Sequence, residues 1–320
     1  MPPSSPRPVF VIGSFVMACC WFTRQLPRAG EHVHAERFLM EPGGKGLNVA
    51  VGLARLGTPV HLLMGVGNDP AARQALALLG HEGIGSGHVH AFDGPSGHGV
   101  GLIDQRGENA IAIHPGANHR LTAAHAQSAS PAIASSAIAL GQFEVGDEVL
   151  VAAFKLARQA GVHTVLNPSP WRPLDATLLA LTDTLILNEH EAGALLGQGG
   201  ALRPHEGRHI SALRKWRAAH PAKQLVITLG KAGCLSWFAD QPEPELHPAF
   251  AVTALDSTGC GDAFSAAWCD ARARGAAPRQ SIDLAQAAGA WLACHAGVLS
   301  ALPARDELSD WLKAQRRQPA

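Results

Sequence analysis

Short, uninterrupted apolar runs alternate along this chain with longer stretches of helical composition. The runs at 9–12, 60–64, 137–140, 162–166, 184–187 and 225–228 are rich in Val, Ile and Leu, and they predict strands buried on both faces. The stretches at 47–56, 71–79, 147–159, 189–196, 210–219, 263–274 and 281–295 predict helices, several of them ending at a glycine such as Gly57 or Gly275. This alternation predicts an α/β fold in which a mostly parallel sheet is covered on both faces. Two regions, 15–41 and 88–114, break the rhythm and read as extended hairpin material. In the second, 99–104 and 109–114 flank Gln105-Arg106-Gly107-Glu108, a turn of the kind that closes a hairpin. No internal repeat or low-complexity linker interrupts the chain, so one domain over 1–320 is expected, with a Pro/Ser-rich N-terminus and a polar C-terminal tail.

The chemistry concentrates in Asp256-Ser257-Thr258-Gly259-Cys260-Gly261-Asp262, a glycine-rich turn that opens a predicted helix. Amides at a helix N-terminus attract anions, phosphate above all, and glycines let the backbone approach them. Asp262, on the first helical turn, is placed to accept a proton from an alcohol attacking that phosphate. By itself the segment also reads as an ordinary N-cap. A second glycine-rich segment, Glu41-Pro42-Gly43-Gly44-Lys45-Gly46-Leu47-Asn48, precedes another helix and adds a cation and a carboxamide. It lacks the spacing of a Walker A loop. Asn188 and Thr228 both fall at the carboxyl ends of predicted strands, where open α/β sheets bind ligands.

Taken together, Gly43-Gly44-Lys45-Gly46-Leu47-Asn48 and Asp256 to Asp262 resemble the paired signatures of the ribokinase (PfkB) carbohydrate kinase family. Asn188-Glu189-His190-Glu191 resembles that family's Asn-x-x-Glu motif, and Thr228-Leu229-Gly230-Lys231-Ala232-Gly233 its nucleotide-contacting turn. The likeness runs from about Val9 to Pro303. It implies a ribokinase-like three-layer α/β/α domain, with 15–41 and 88–114 forming a small β-sheet lid that also serves as a homodimer contact. It implies an ATP-dependent small-molecule kinase acting on a hydroxyl of a sugar or sugar-like acceptor. Carried over residue by residue, Asp262 is the general base, and the amides of Gly259, Cys260 and Gly261 stabilise the transferring phosphoryl group. Gly43, Gly44, Lys45, Asn48 and Glu144 contact the acceptor, while Thr228 and Gly230 touch the nucleotide. Asn188 and Glu191 hold the water shell of a Mg²⁺ ion. Read singly, Asn188 and Glu191 are a capped helix start, and Thr228 is a strand end.

The chain also departs from the pattern. Ribokinases proper carry an Asn and an Asp two and four residues after the equivalent of Ser14, where this sequence has Val16 and Ala18. Two hydroxyl-binding side chains are thereby lost, which points to an acceptor other than free ribose. Family members activated by potassium use the first Asp of the C-terminal motif, here Asp256, with a late Ser. The nearest positions here are Ala301 and, one residue off, Ser300, so a monovalent-cation site is open and not required.

Composition narrows the remaining classes. Lys plus Arg equals Asp plus Glu at 26 each, so no nucleic-acid footprint or anionic-membrane partner is indicated. The six cysteines lack CxxC spacing and read as free thiols of a reducing compartment, hence a cytoplasmic enzyme. Cys260, at a helix N-terminus, is expected to have a lowered pKa, the alternative reading being a small residue that fills a tight turn. The run 9–22 after Arg7 imitates a signal peptide, but its first part, 9–13, reads equally as a buried first strand ending in a turn. The pairs His32/His34 and His88/His90, placed in lid strands, lack further zinc ligands. Gly65-Val66-Gly67 lacks the third glycine of a dinucleotide fingerprint, with Pro70 in its place. A nucleoside or sugar-phosphate kinase of the same family is the main rival. A non-catalytic nucleotide- and sugar-binding sensor is the rival of a different class, disfavoured by the retention of Asp262.

Overall fold

The computed structural model describes residues 6–106, 108–221 and 223–317. The expected turn at 105–108 therefore lies partly, and the N-terminal five residues wholly, outside the described residues. Thirteen strands are described: β1 (Val9–Ile12), β2 (Val16–Thr23), β3 (Ala35–Gly43), β4 (Val60–Val66), β5 (Val89–Ala91), β6 (Gly97–Ile103), β7 (Asn109–His114), β8 (Ile138–Gln142), β9 (His163–Asn167), β10 (Thr184–Asn188), β11 (Gln224–Thr228), β12 (Cys234–Trp237) and β13 (Glu245–His247). Nine form one sheet in the order β13-β12-β11-β10-β9-β8-β1-β4-β5. It is parallel from β5 to β11, and β12 and β13 add an antiparallel edge.

Alternation of side chains along the strands divides the core in two. Val9 and Val11 face one layer, formed by α1 (Lys45–Arg55), α2 (Pro70–His81), α9 (Cys260–Ala273), α10 (Pro278–Ala293) and α11 (Arg305–Arg317). Phe10 and Ile12 face the other, which includes α3 (Ala123–Ser128), α4 (Ser130–Ser135), α5 (Asp147–Gln159), α6 (Ala176–Leu181), α7 (Glu189–Leu195) and α8 (Gly207–Ala219). The strands are apolar throughout because both faces are covered. The polar C-terminal tail expected from composition is the amphipathic helix α11, whose Leu308 and Leu312 are buried against the first layer.

A second sheet, β3-β2-β6-β7, stands over the carboxyl end of the first. Two of its pairings are antiparallel and the central one, β2 with β6, is parallel. The lid expected at 15–41 and 88–114 is therefore present with one correction. Residues 89–91 belong to the edge of the large sheet, paired with β4, and the lid hairpin begins at Gly97. His88 and His90 consequently flank and occupy β5, and His32 and His34 lie in the loop between β2 and β3, so neither pair sits in a lid strand. Among the described residues no helix is long and apolar enough to cross a membrane.

Candidate active site

The helix starts that the two glycine motifs predict are both present, and they meet. Gly44 precedes α1 at φ 103°, and Gly259 precedes α9 in the left-handed region at φ 76°, backbone conformations that favour glycine. α1 and α9 pack side by side on one face of the sheet, bringing residues more than 200 positions apart into contact. Asn48 Nδ2 donates to Asp262 Oδ2 at 2.7 Å, and Lys45 Nζ lies 3.9 Å from Asp262 Oδ1.

Asp262 is 4% exposed, and burial raises its pKa against the opposing influence of Lys45 and Asn48. The Lys45 ammonium is held charged, its pKa raised chiefly by Asp262, with Glu144 and Glu191 adding to the effect. Glu144 follows the end of β8. Its Oε2 accepts from Ser14 Oγ at 2.5 Å and from the Lys45 amide at 2.8 Å, and Ser14 Oγ in turn accepts from the Gly46 amide. The Gly-Gly-Lys turn is thus tied to the carboxyl ends of β1 and β8. Burial raises the Glu144 pKa, with Ser14 and the Lys45 amide opposing it.

At the other end of the cleft, Asn188 caps α7. Its Oδ1 accepts from the amides of His190 and Glu191, and Glu191 Oε2 accepts from the Asn188 amide at 2.9 Å, completing a reciprocal capping box. The carboxylate of Glu191 is buried, which raises its pKa. Thr228 stands beside Asn188 in register across β10 and β11, and Gly230, at φ 54°, opens the following turn. A cleft of about 580 Å³ runs between these groups. Lys45, Asn188, Glu191, Thr228, Gly230, Gly259, Cys260, Gly261 and Asp262 all line it. Asn48 and Glu144 stand behind its Lys45 end, linked to it through the bonds above, and Gly43 and Gly44 directly precede Lys45 in the chain.

The three amides of the C-terminal turn are not equivalent. The Cys260 amide donates to Ser257 O at 3.3 Å, whereas those of Gly259 and Gly261 have no acceptor among the described residues. Gly261 also faces open space, with nothing within 4 Å of where a Cβ would lie. Asp256 is exposed and orders the turn, its Oδ1 accepting from the amide and hydroxyl of Thr258 at 2.9 and 2.7 Å.

One sequence expectation is reversed. The Cys260 thiol is pushed up to about 11, first by burial and then by the nearby carboxylates of Asp256 and Asp262, so the helix N-terminus is outweighed. Sequence reading also passed over several groups. Ser14 bridges Glu144 to Gly46, and the Gly13-Ser14 pair directly after a strand was the available signal. Asn167 and Ser169 line the cleft at the end of β9, and Gly289 lines it from α10, with no motif to mark them. Among the described residues no group of three or more His, Cys, Asp or Glu could hold a metal ion directly.

The chain is similar to known proteins over nearly its whole length. A profile of the pfkB family of carbohydrate kinases matches residues 7–305. The chain is 31% identical to a ribokinase of Bacillus subtilis over 306 residues, which covers 96% of this chain and 99% of that protein. It is also 31% identical to a deoxyribokinase of Salmonella typhi, over 80% of this chain and 82% of that one. Among solved structures, a ribokinase of Arabidopsis thaliana complexed with ribose and ATP superposes with a TM-score of 0.85 at 26% identity, covering 97% of this chain and 99% of that chain.

Proposed function

The chain belongs to the pfkB family of carbohydrate kinases, and from that premise we propose that it transfers the γ-phosphoryl group of ATP to a sugar hydroxyl, with Asp262 taking the proton. The observation that carries this reading is the buried Asp262 carboxylate, held by Asn48 and Lys45 one residue after Gly261, whose amide has no acceptor among the described residues. A desolvated carboxylate with a raised pKa is a better base than a solvated one, and the adjacent amides face the position where charge develops on the phosphoryl oxygens.

The cleft divides into two parts. The nucleotide would occupy the length between Thr228, Gly230 and the α9 turn, where Phe250, Val252 and Ala293 supply apolar wall. The acceptor would lie beyond Lys45 and Asp262, under the lid, where the Oε1 atom of Glu144 has no hydrogen-bond partner among the described residues and is available to a hydroxyl. Lys45 faces three carboxylates, Asp262, Glu144 and Glu191, so the site holds excess negative charge and fits a divalent cation accompanying the phosphates. Mg²⁺ would be held through its waters by Glu191 and Asn188, and when bound it neutralises phosphate charge. The Lys45 ammonium stays paired with Asp262 and keeps that carboxylate ionised for proton uptake. A monovalent cation beside Asp256 is a smaller part of the reading, since Asp256 Oδ2 is left unbonded by the turn. Substituting NaCl for KCl in the assay tests it.

The wall presented by Val16 and Ala18 supports an acceptor other than free ribose as the preferred one. The opposite face of the lid carries Phe38, Met40 and Val100, 53%, 49% and 42% exposed, and an apolar strip of this kind suits contact with a second copy. The decisive experiment is ADP release with Mg-ATP over pentoses, hexoses, sugar phosphates and nucleosides, wild type beside Asp262→Asn. Acceptor-dependent turnover lost in the variant is the expected result. ATP binding without turnover on any acceptor would favour the sensor.

A further inference from the structure

Glu41 lies on β3 directly across from Ala18 on β2, two residues from Gly43, which pairs with Val16. Residues opposite one another share a face of the sheet. A Cβ at Gly43 would lie 4.0 Å from that of Ala18, which confirms the shared side. At the base of the lid the other face is turned to the core, because Met17 is buried in the layer containing α2 and Cys19 packs partly against it. Val16, Ala18, Cys20 and Glu41 therefore look the opposite way, over the acceptor end of the cleft. In keeping with this, the Cys20 thiol is raised by burial and feels both Glu41 and Asp256 of the α9 turn.

Around Glu41 this face offers nothing polar to answer it. Across β2 stand Val16, Ala18 and Cys20, and beyond them on β6 stand Gly97, Gly99 and Gly101, which contribute no side chains. The nearest cation along β3 on this face, Arg37, is stacked 3.5 Å over the Phe22 ring. Glu41 is half-buried, its pKa is raised by burial alone, and among the described residues it has no hydrogen bond and no ion pair. A partly desolvated carboxylate without a donor is costly, and in this position the group able to supply donors is a molecule entering beneath the lid.

We propose that Glu41 is a specificity-determining residue that accepts hydrogen bonds from acceptor hydroxyls at the lid. The inference rests on the kinase reading above and deepens it. The wall that Val16 and Ala18 make apolar carries its carboxylate one strand over, displaced by about 4.8 Å. The preferred acceptor is then a polyhydroxylated sugar whose distal hydroxyls reach β3, and not a molecule with an apolar group at that end.

The test is steady-state kinetics of wild type, Glu41→Gln and Glu41→Ala on D-ribose, 2-deoxy-D-ribose, D-fructose and inosine, with sedimentation of each variant. The expected result is a KM for the best sugar raised about 10- to 100-fold, the loss typical of a hydrogen bond to a charged group. kcat and the KM for ATP should stay within about two-fold, and the ranking of acceptors should flatten. Returning a carboxylate to β2, in Ala18→Asp combined with Glu41→Ala, should restore discrimination with a changed ranking. Equal losses on every acceptor, or an unchanged sugar KM with an altered oligomeric mass, would overturn the proposal and assign Glu41 to folding or to contact between copies. In both cases the kinase reading survives. A wild type that phosphorylates no acceptor overturns both.

Discussion

The two glycine-rich turns of the candidate active site look alike in sequence and differ in what surrounds them. At the N-terminal one, a Cβ on Gly46 would fall 2.1 Å from Gly13 Cα, while Glu144 and Ser14 tie the same turn to the sheet. At the C-terminal one, a Cβ on Gly261 would meet nothing within 4 Å. The first glycine is required by the protein's own packing, and the second leaves room for something that is not protein. Glycine in a motif therefore has two physical meanings, and only the neighbours in space separate them.

Four expectations press on that contrast. The largest effect belongs to the proposed base: Asp262→Asn should lower kcat by about 10² to 10⁴, measured as acceptor-dependent ADP release. Because burial raises the folded-state pKa of Asp262 above the ordinary 3.8, its ionised form opposes folding once the pH exceeds that raised value. The same variant should thus melt ~1–3 °C higher at neutral pH, an opposition of activity and stability that calorimetry would read directly. Next come the glycines themselves. Gly46→Ala should cost ~3 kcal/mol or more in urea denaturation, since backbone must move. Gly261→Ala should melt at or slightly above the wild-type temperature while phosphoryl transfer falls roughly ten-fold, its methyl occupying the phosphate's approach. Equal destabilisation by the two would erase the distinction.

A third expectation concerns pH. In the proposed role Asp262 acts only when ionised, so kcat/KM should fall as pH drops through a pKa above the ordinary Asp value. Lys45 holds that pKa down, and Lys45→Met should move the acid limb to higher pH as well as lower its plateau. An unmoved limb would show that another group titrates. The smallest effect is expected at Cys260. With its thiol pushed up to about 11, alkylation by iodoacetamide at pH 7.5 should be slower than for a free cysteine, and Cys260→Ser should keep kcat within about three-fold.

The central strands and most helices were legible because their signals are local: apolar runs of four or five residues, capping residues, glycine stops. The strands at 234–237 and 245–247 escaped because they are short and antiparallel at a sheet edge, where no crossover helix announces them. Val89–Ala91 reads in sequence as part of the lid because its composition matches any extended segment, whereas pairing with β4 is a long-range choice. The Cys260 expectation erred for a related reason. The N-terminal position in a helix is visible in sequence, but the burial and the two carboxylates that outweigh it are contributed by the folded surroundings.

The amino-acid sequence by itself determined the α/β alternation, the two glycine-rich helix starts and the residue types that phosphoryl transfer needs. Those features depend on backbone propensity and spacing along the chain. Only the tertiary structure decided that Asn48 and Lys45 hold Asp262, that Gly46 is closed while Gly261 is open, and that Glu41, across from Ala18, has no partner among the described residues. Each of these depends on burial and on partners distant in sequence or on a neighbouring strand. Desolvation and proximity belong to the packed molecule, and no local pattern encodes them.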